Sequence, residues 1–205
     1  MSVRRYQPIA EALVLLAVTF PLAVGLHVPT LWLLAPLALL TFTKRPYHTY
    51  GLTWEQPGSP VFHVGVGLVV FVPYVIGHYA WAHWWLGASF HLRWPPAFFE
   101  SAIDQVLAIA LPEEFFFRGY FQTECDRAFG KPYRCLGANY GPGLLLAAAA
   151  FAACHVPFGG PARLIVFFPG LLYGWLRART STIAVPVAYH AVSNLLMSIM
   201  LASLG

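Results

Sequence analysis

Charge is what this sequence has least of. Twelve Lys and Arg and eight Asp and Glu make up only 10% of its 205 residues, whereas ordinary soluble domains carry roughly a quarter, so a charge-covered soluble surface is excluded. Cysteine is scarce too, and the three present give no disulfide framework: Cys125 and Cys135 share one polar stretch, and Cys154 lies in an apolar run. No internal repeat, low-complexity tract or long linker divides the chain, so residues 1–205 read as a single integral membrane domain. The alternating segments of about ten residues that mark a membrane β-barrel are also missing.

What is there is apolar length. Hydrophobic residues make up 59% of the chain and its mean hydropathy is +0.64. A helix rising ~1.5 Å per residue needs about 17 to 25 mostly apolar residues to cross a ~30 Å hydrocarbon core. Segments 9–26, 28–43, 61–86, 98–121, 143–158, 162–178 and 182–203 meet or approach that length. The second and fifth are short, so the expectation is an all-α polytopic transmembrane bundle of about seven spans, six to eight. Arg4 and Arg5 ahead of the first run resemble a secretory signal, but no small-x-small cleavage site follows. A second run begins almost at once in "HVPTLWLL", at His27, so the first helix reads as a retained anchor.

The polar stretches 44–60, 87–97 and 122–142 read as loops, with "EQPGSP" the clearest turn cluster. Basic residues orient the bundle. With seven spans and the N-terminus cytoplasmic, Arg4, Arg5, Lys44, Arg45, Arg127, Lys131, Arg134, Arg177 and Arg179 fall on the inner side. Only Arg93 and Arg163 fall outside, and Arg118 lies within a span, as the positive-inside bias requires. The net charge of +4 thus reports topology and implies no nucleic-acid partner. Cys125 and Cys135 then face a reducing compartment, and only an inverted topology would allow them to pair. Trp54, Trp84, Trp85, Trp94 and Trp175 near span ends fit either interfacial belts or packing.

Polar residues inside spans face the bundle interior and find partners there, because lipid cannot solvate them. Three groups stand out, each with an i, i+4 pair that shares a helix face. In "PEEFFFRG" Glu114 and Arg118 have the better orientation for an ion pair, while Glu113, ~100° around the helix, need not share that arginine. One glutamate is neutralised and the other stays free to exchange protons as a general base; Pro112 before them lacks a backbone N–H and favours a kink that admits water. A purely structural Glu–Arg clamp is the plain alternative. In "FAACH" His155 is a catalytic candidate or a packed histidine, Ala152 and Ala153 allow close helix approach, and Phe151 is most simply core. In "HAVSN" His190 and Asn194 can donate toward one point, as an oxyanion site requires, or act as interhelical glue. Counted from the inner ends of their spans, Glu113, His155 and His190 lie roughly 13 to 18 Å deep at ~1.5 Å per residue.

The ordered set EExxxR, FxxxH, HxxxN over residues 98–203 resembles the CPBP family of glutamic-type intramembrane proteases, which includes the CAAX prenyl proteases, the bacterial abortive-infection-like proteins and the myxosortase-like sorting proteases. Residues 1–97 carry no diagnostic motif. The resemblance implies an active site within the membrane in which Glu113, with His155, activates water for attack on a peptide carbonyl. It implies that His190 and Asn194 stabilise the oxyanion and that Glu114 and Arg118 order the site, with no cofactor. It further implies a membrane-anchored or lipid-modified protein substrate cut near its C-terminus, and a place in the bacterial inner membrane. Two other readings remain open at this level. A zinc protease would need ligands such as His155, His190 and a glutamate drawn from separate helices, since no HExxH is present; a non-enzymatic scaffold or immunity protein would bind a partner without cutting it.

Overall fold

The computed structural model describes residues 5–53 and 58–204. Arg4, Trp54 and Glu55, Gln56 and Pro57 of the turn cluster lie outside the described residues. The apolar runs become helices: α1 Gln7–Gly25, α2 Leu31–Phe42, α3 Pro60–Trp85, α4 over 98–129, α5 Pro142–His155, α6 Phe167–Thr180 and α7 Ala184–Ser203. By length and composition α1, α3 and α7 can each cross a membrane, while α2 and the 142–158 segment are shorter apolar helices.

Contacts at the helix ends show that successive helices alternate in direction. Arg5 Nε donates to the Ala128 carbonyl, Arg45 reaches Glu11 and Glu124, and Arg177 Nη2 donates to the Thr49 carbonyl. The start of α1, the ends of α2, α4 and α6, and the turn before α7 therefore gather at one end, which carries most of the basic residues. At the other end His91 N–H donates to the Ser203 carbonyl, and Phe90 bridges to Leu204. Trp84, Trp85 and Trp94 are exposed there and do not enter the core, the placement expected of rings that sit at a membrane–water boundary.

The core lies around α4. Phe115, Phe116, Phe117, Tyr120 and Phe121 are all buried, with Trp32 of α2 and Phe151 of α5 packed edge-on against Phe116 and Phe117 respectively. By contrast α3 stands at the periphery, most of its side chains at least partly exposed, and packs mainly on α7.

The stretch 122–142 is not the loop its polarity suggests. α4 continues through Gln122–Phe129, and β1 Tyr133–Cys135 pairs antiparallel with β2 Ala138–Tyr140. The helix persists because its polar groups are buried and paired within the bundle: Glu124 with Arg45 and Arg127, Gln122 with the Gly174 carbonyl. Two positive-φ residues, Leu136 and Gly137, close the hairpin, the backbone of a tight two-residue turn. All three cysteines are free, Cys125 buried in α4 and Cys135 exposed on the hairpin.

Candidate active site

α4 does not wind uniformly. Residues Gln105–Ala110 and Phe115–Phe121 are π-helical, and Leu111–Glu114 between them is α-helical. Such wide turns recur at functional sites. Here they flank Glu113 and Glu114.

Arg118 is fully buried, so its charge must be met inside the bundle. Its Nη1 donates to Glu114 Oε1 at 2.9 Å and its Nη2 to the Gly170 carbonyl of α6 at 3.2 Å. The guanidinium also lies over the Phe151 ring, 4.2 Å from its centroid, and 5.3 Å from that of Tyr173, close enough for cation–π attraction. Gly170 makes the approach feasible: a Cβ there would stand 3.1 Å from Arg118 Nη2. One turn along, Gln122 Nε2 donates to the Gly174 carbonyl at 3.1 Å, so two α4 side chains rest on two glycines of α6.

His190 joins the two glutamates. Its Nδ1 is 2.8 Å from Glu114 Oε1, and its Nε2 is 3.9 Å from Glu113 Oε2. A Glu114 carboxylate held by Arg118 accepts, which puts a proton on Nδ1 and turns Nε2 toward Glu113. Packing fixes the ring: Tyr173 stacks on it with centroids 5.2 Å apart and planes 15° apart, and Phe151 meets it edge-on at 5.8 Å. Tyr173 is itself anchored, its hydroxyl donating to Ser193 Oγ at 2.8 Å. Glu114 Oε1 is bonded to both Arg118 and His190, whereas Glu113 only approaches His190 at 3.9 Å; the Oε2 of each glutamate is buried without a hydrogen-bond partner.

His155 closes α5. Its Nδ1 lies 2.8 Å from the Phe151 carbonyl and its ring 4.4 Å from the Phe151 ring, so it touches the cluster through that phenylalanine. Asn194 sits one turn beyond His190 on α7, and its Nδ2 donates to Gln105 Oε1 at 2.8 Å.

Of the residues singled out in the sequence, Glu113, Glu114, Arg118 and His190 meet directly. His155 reaches that group through Phe151, and Asn194 lies one turn from His190 on α7. Asn194 and His190 share a helix face, but each is held by a different residue of α4. Sequence reasoning passed over Gln105, Tyr173 and Gly170. The glycines of "GLLYG", four apart, carried a signal of close helix approach; a lone glutamine and a tyrosine in apolar runs carried none. Among the described residues no three His, Cys, Asp or Glu side chains are grouped to hold a metal ion.

No curated protein and no solved structure matches the chain. A family model does, over residues 94–196, and its description is type II CAAX prenyl endopeptidase Rce1-like. The match covers half the chain and all seven motif residues, beginning slightly before and ending slightly before the 98–203 expected from the motifs. The chain belongs to that family.

Proposed function

We propose, with membership in the Rce1-like endopeptidase family as the premise, that this chain hydrolyses a peptide bond near the C-terminus of a membrane-associated protein within the bilayer, using Glu113 as general base. The observation that carries the reading is His190 lying between Glu114 at 2.8 Å and Glu113 at 3.9 Å. The longer gap is too wide for a hydrogen bond but suits a water at ~2.8 Å from each atom. With both glutamates ionised and Arg118 and His190 protonated, the formal charges cancel. Transfer of a proton from water to Glu113 moves that carboxylate's negative charge onto the oxyanion and leaves the sum unchanged, so the step creates no net buried charge.

Glu113 takes a proton from the water as its oxygen bonds to the scissile carbonyl carbon. The oxyanion that forms is stabilised by N–H donors from His190 Nε2 and Asn194 Nδ2. When the C–N bond breaks, the proton on Glu113 passes to the leaving amine, giving a new carboxyl terminus and a free amine. His155, whose Nδ1 is engaged by the Phe151 carbonyl, assists Glu113 in activating the water through its Nε2. Glu114 and Arg118 order the imidazole.

The family's description points to prenylated C-terminal peptides as substrates, while cleavage of C-terminal membrane anchors on exported proteins uses the same chemistry. We assign the protein to a bacterial inner membrane with the N-terminus cytoplasmic and seven spans, an arrangement supported by the alternating helices and the basic residues gathered at one end. Mapping membrane-protein C-termini by mass spectrometry in cells carrying the wild type or Glu113→Gln tests function and substrate together. The expected result is a set of truncated C-termini seen only with the wild type; identical C-termini in both strains would overturn the proposal.

A further inference from the structure

We infer that Gln105 is a positioning residue for the reaction, holding the Asn194 carboxamide in the orientation that donates to the oxyanion; this rests on the proposed hydrolytic reading of the site. The Asn194 amide nitrogen carries two hydrogens. One is committed to Gln105 Oε1 at 2.8 Å, which stops the carboxamide turning about its terminal torsion and leaves the second N–H directed by the first. An oxyanion donor held in place before the reaction needs no reorganisation as charge develops, and that is the source of its effect.

The winding of α4 explains how Gln105 comes to be there. Eight residues before Glu113, it would lie ~80° around an ideal α-helix from that side chain. The wide i→i+5 turns over Gln105–Ala110 reduce the rotation per residue and bring Gln105 back toward the Glu113 face. Both then face α7, where His190 meets Glu113 and Asn194 meets Gln105. One irregular helix thus contributes the base and the support for the oxyanion donor. No other polar side chain hydrogen-bonds Asn194 among the described residues.

The test is a double-mutant cycle on purified full-length protein in detergent. Its substrate is a synthetic peptide spanning a cleavage site that wild type produces in cells and Glu113→Gln does not. Gln105→Ala is expected to lower kcat about tenfold to a hundredfold with KM changed less than threefold, the loss due to an oxyanion donor that is no longer held. Gln105→Glu, which keeps the acceptor oxygen, is expected to recover most of that loss. In an Asn194→Ala background the further change to Gln105→Ala is expected to cost less than twofold, because the two residues act as one unit. Full kcat in Gln105→Ala, or losses that multiply in the double variant, would overturn the assignment while Glu113→Gln stays inactive. An active Glu113→Gln would instead overturn the hydrolytic reading on which it rests. Thermal melts of each variant separate a loss of fold from a loss of positioning.

Discussion

The guanidinium of Arg118 lies over the ring of Phe151, 4.2 Å from its centroid, so the arginine of the first motif rests on the phenylalanine of the second. A planar cation flanked by aromatic faces and tied to Glu114 and to the Gly170 carbonyl suits arginine and does not suit lysine, which has neither the fork nor the flat faces. Phe151, read from sequence as core, is core and also part of the site's electrostatics.

Arg118→Ala leaves Glu114 charged and buried with only His190 to compensate it. Breaking a buried pair in this way costs about 3–5 kcal/mol, and a sharply lowered melting temperature in detergent is expected. Arg118→Lys should lie between the wild type and Arg118→Ala. A wild-type melt for Arg118→Ala would show that the ion pair does not hold the fold.

The adjacent glutamates should separate stability from catalysis. Glu113→Gln removes no hydrogen bond, since Glu113 Oε2 has none, and is expected to lose about 10²–10⁴-fold in cleavage rate with little change in melting temperature. Glu114→Gln weakens the bonds to Arg118 and His190 and should lower both rate and stability. Cleavage rates and melts on the same preparations check this, and a Glu113→Gln that melts far below wild type would contradict it.

At the basic end of the bundle Arg45 makes two 2.6 Å bonds to Glu11, and Glu124 Oε1 accepts from Tyr50 at 2.5 Å and Arg127 at 3.1 Å. Tyr120 donates to Glu11 at 2.7 Å. This network ties α1 and α2 to α4. Tyr50→Phe, which strips a buried carboxylate of one donor, should cost ~1–3 kcal/mol. In a cycle of Glu11→Ala with Arg45→Ala the coupling should be about 0.5–3 kcal/mol; additive melts would mean that the first helix is held by apolar packing alone.

Asp126 should give the fold a pH dependence. Burial pushes its carboxyl up to about 6 against the opposing pull of Lys131 and Arg177, and its Oδ1 lacks a hydrogen-bond partner while Oδ2 is 3.6 Å from Lys131 Nζ. A folded pKa above the unfolded ~3.9 means the folded state binds the extra proton. Asp126 therefore favours folding most below about pH 4, and that contribution is lost as pH rises through about 6. Replacing it with Asn should flatten the change in melting temperature between pH 4 and pH 7, roughly the window between the two values. An unchanged slope would assign the dependence to another group.

Metal dependence separates this chemistry from zinc hydrolysis. On the proposed mechanism, in which Glu113 activates water without a metal, protein stripped with a strong chelator and verified by elemental analysis should keep full cleavage activity. Loss on stripping and recovery with Zn²⁺ would replace the mechanism.

The pairing of Glu114 with Arg118 was legible because i, i+4 spacing and an apolar surrounding leave a buried acid and base little other choice. The approach of His190 to both glutamates was legible only as a level in the bundle, since a sequence gives depth along a helix and not the direction between helices. The end of α4 was misread for a physical reason: Glu124, Gln122 and Asp126 look like a solvated loop until their partners Arg45, Gly174 and Lys131 come from elsewhere in the chain.

By itself the sequence determined the solvent, the helices and the chemical inventory, because apolar length, helical spacing and the rarity of charge are local properties that no tertiary contact can reverse. Only the folded bundle decided which glutamate is tied down and which is free, where α4 widens into π turns, and that Gln105 and Tyr173 support Asn194 and His190. Those outcomes depend on close contacts between helices far apart in the chain, and a contact between two helices is not a property of either one.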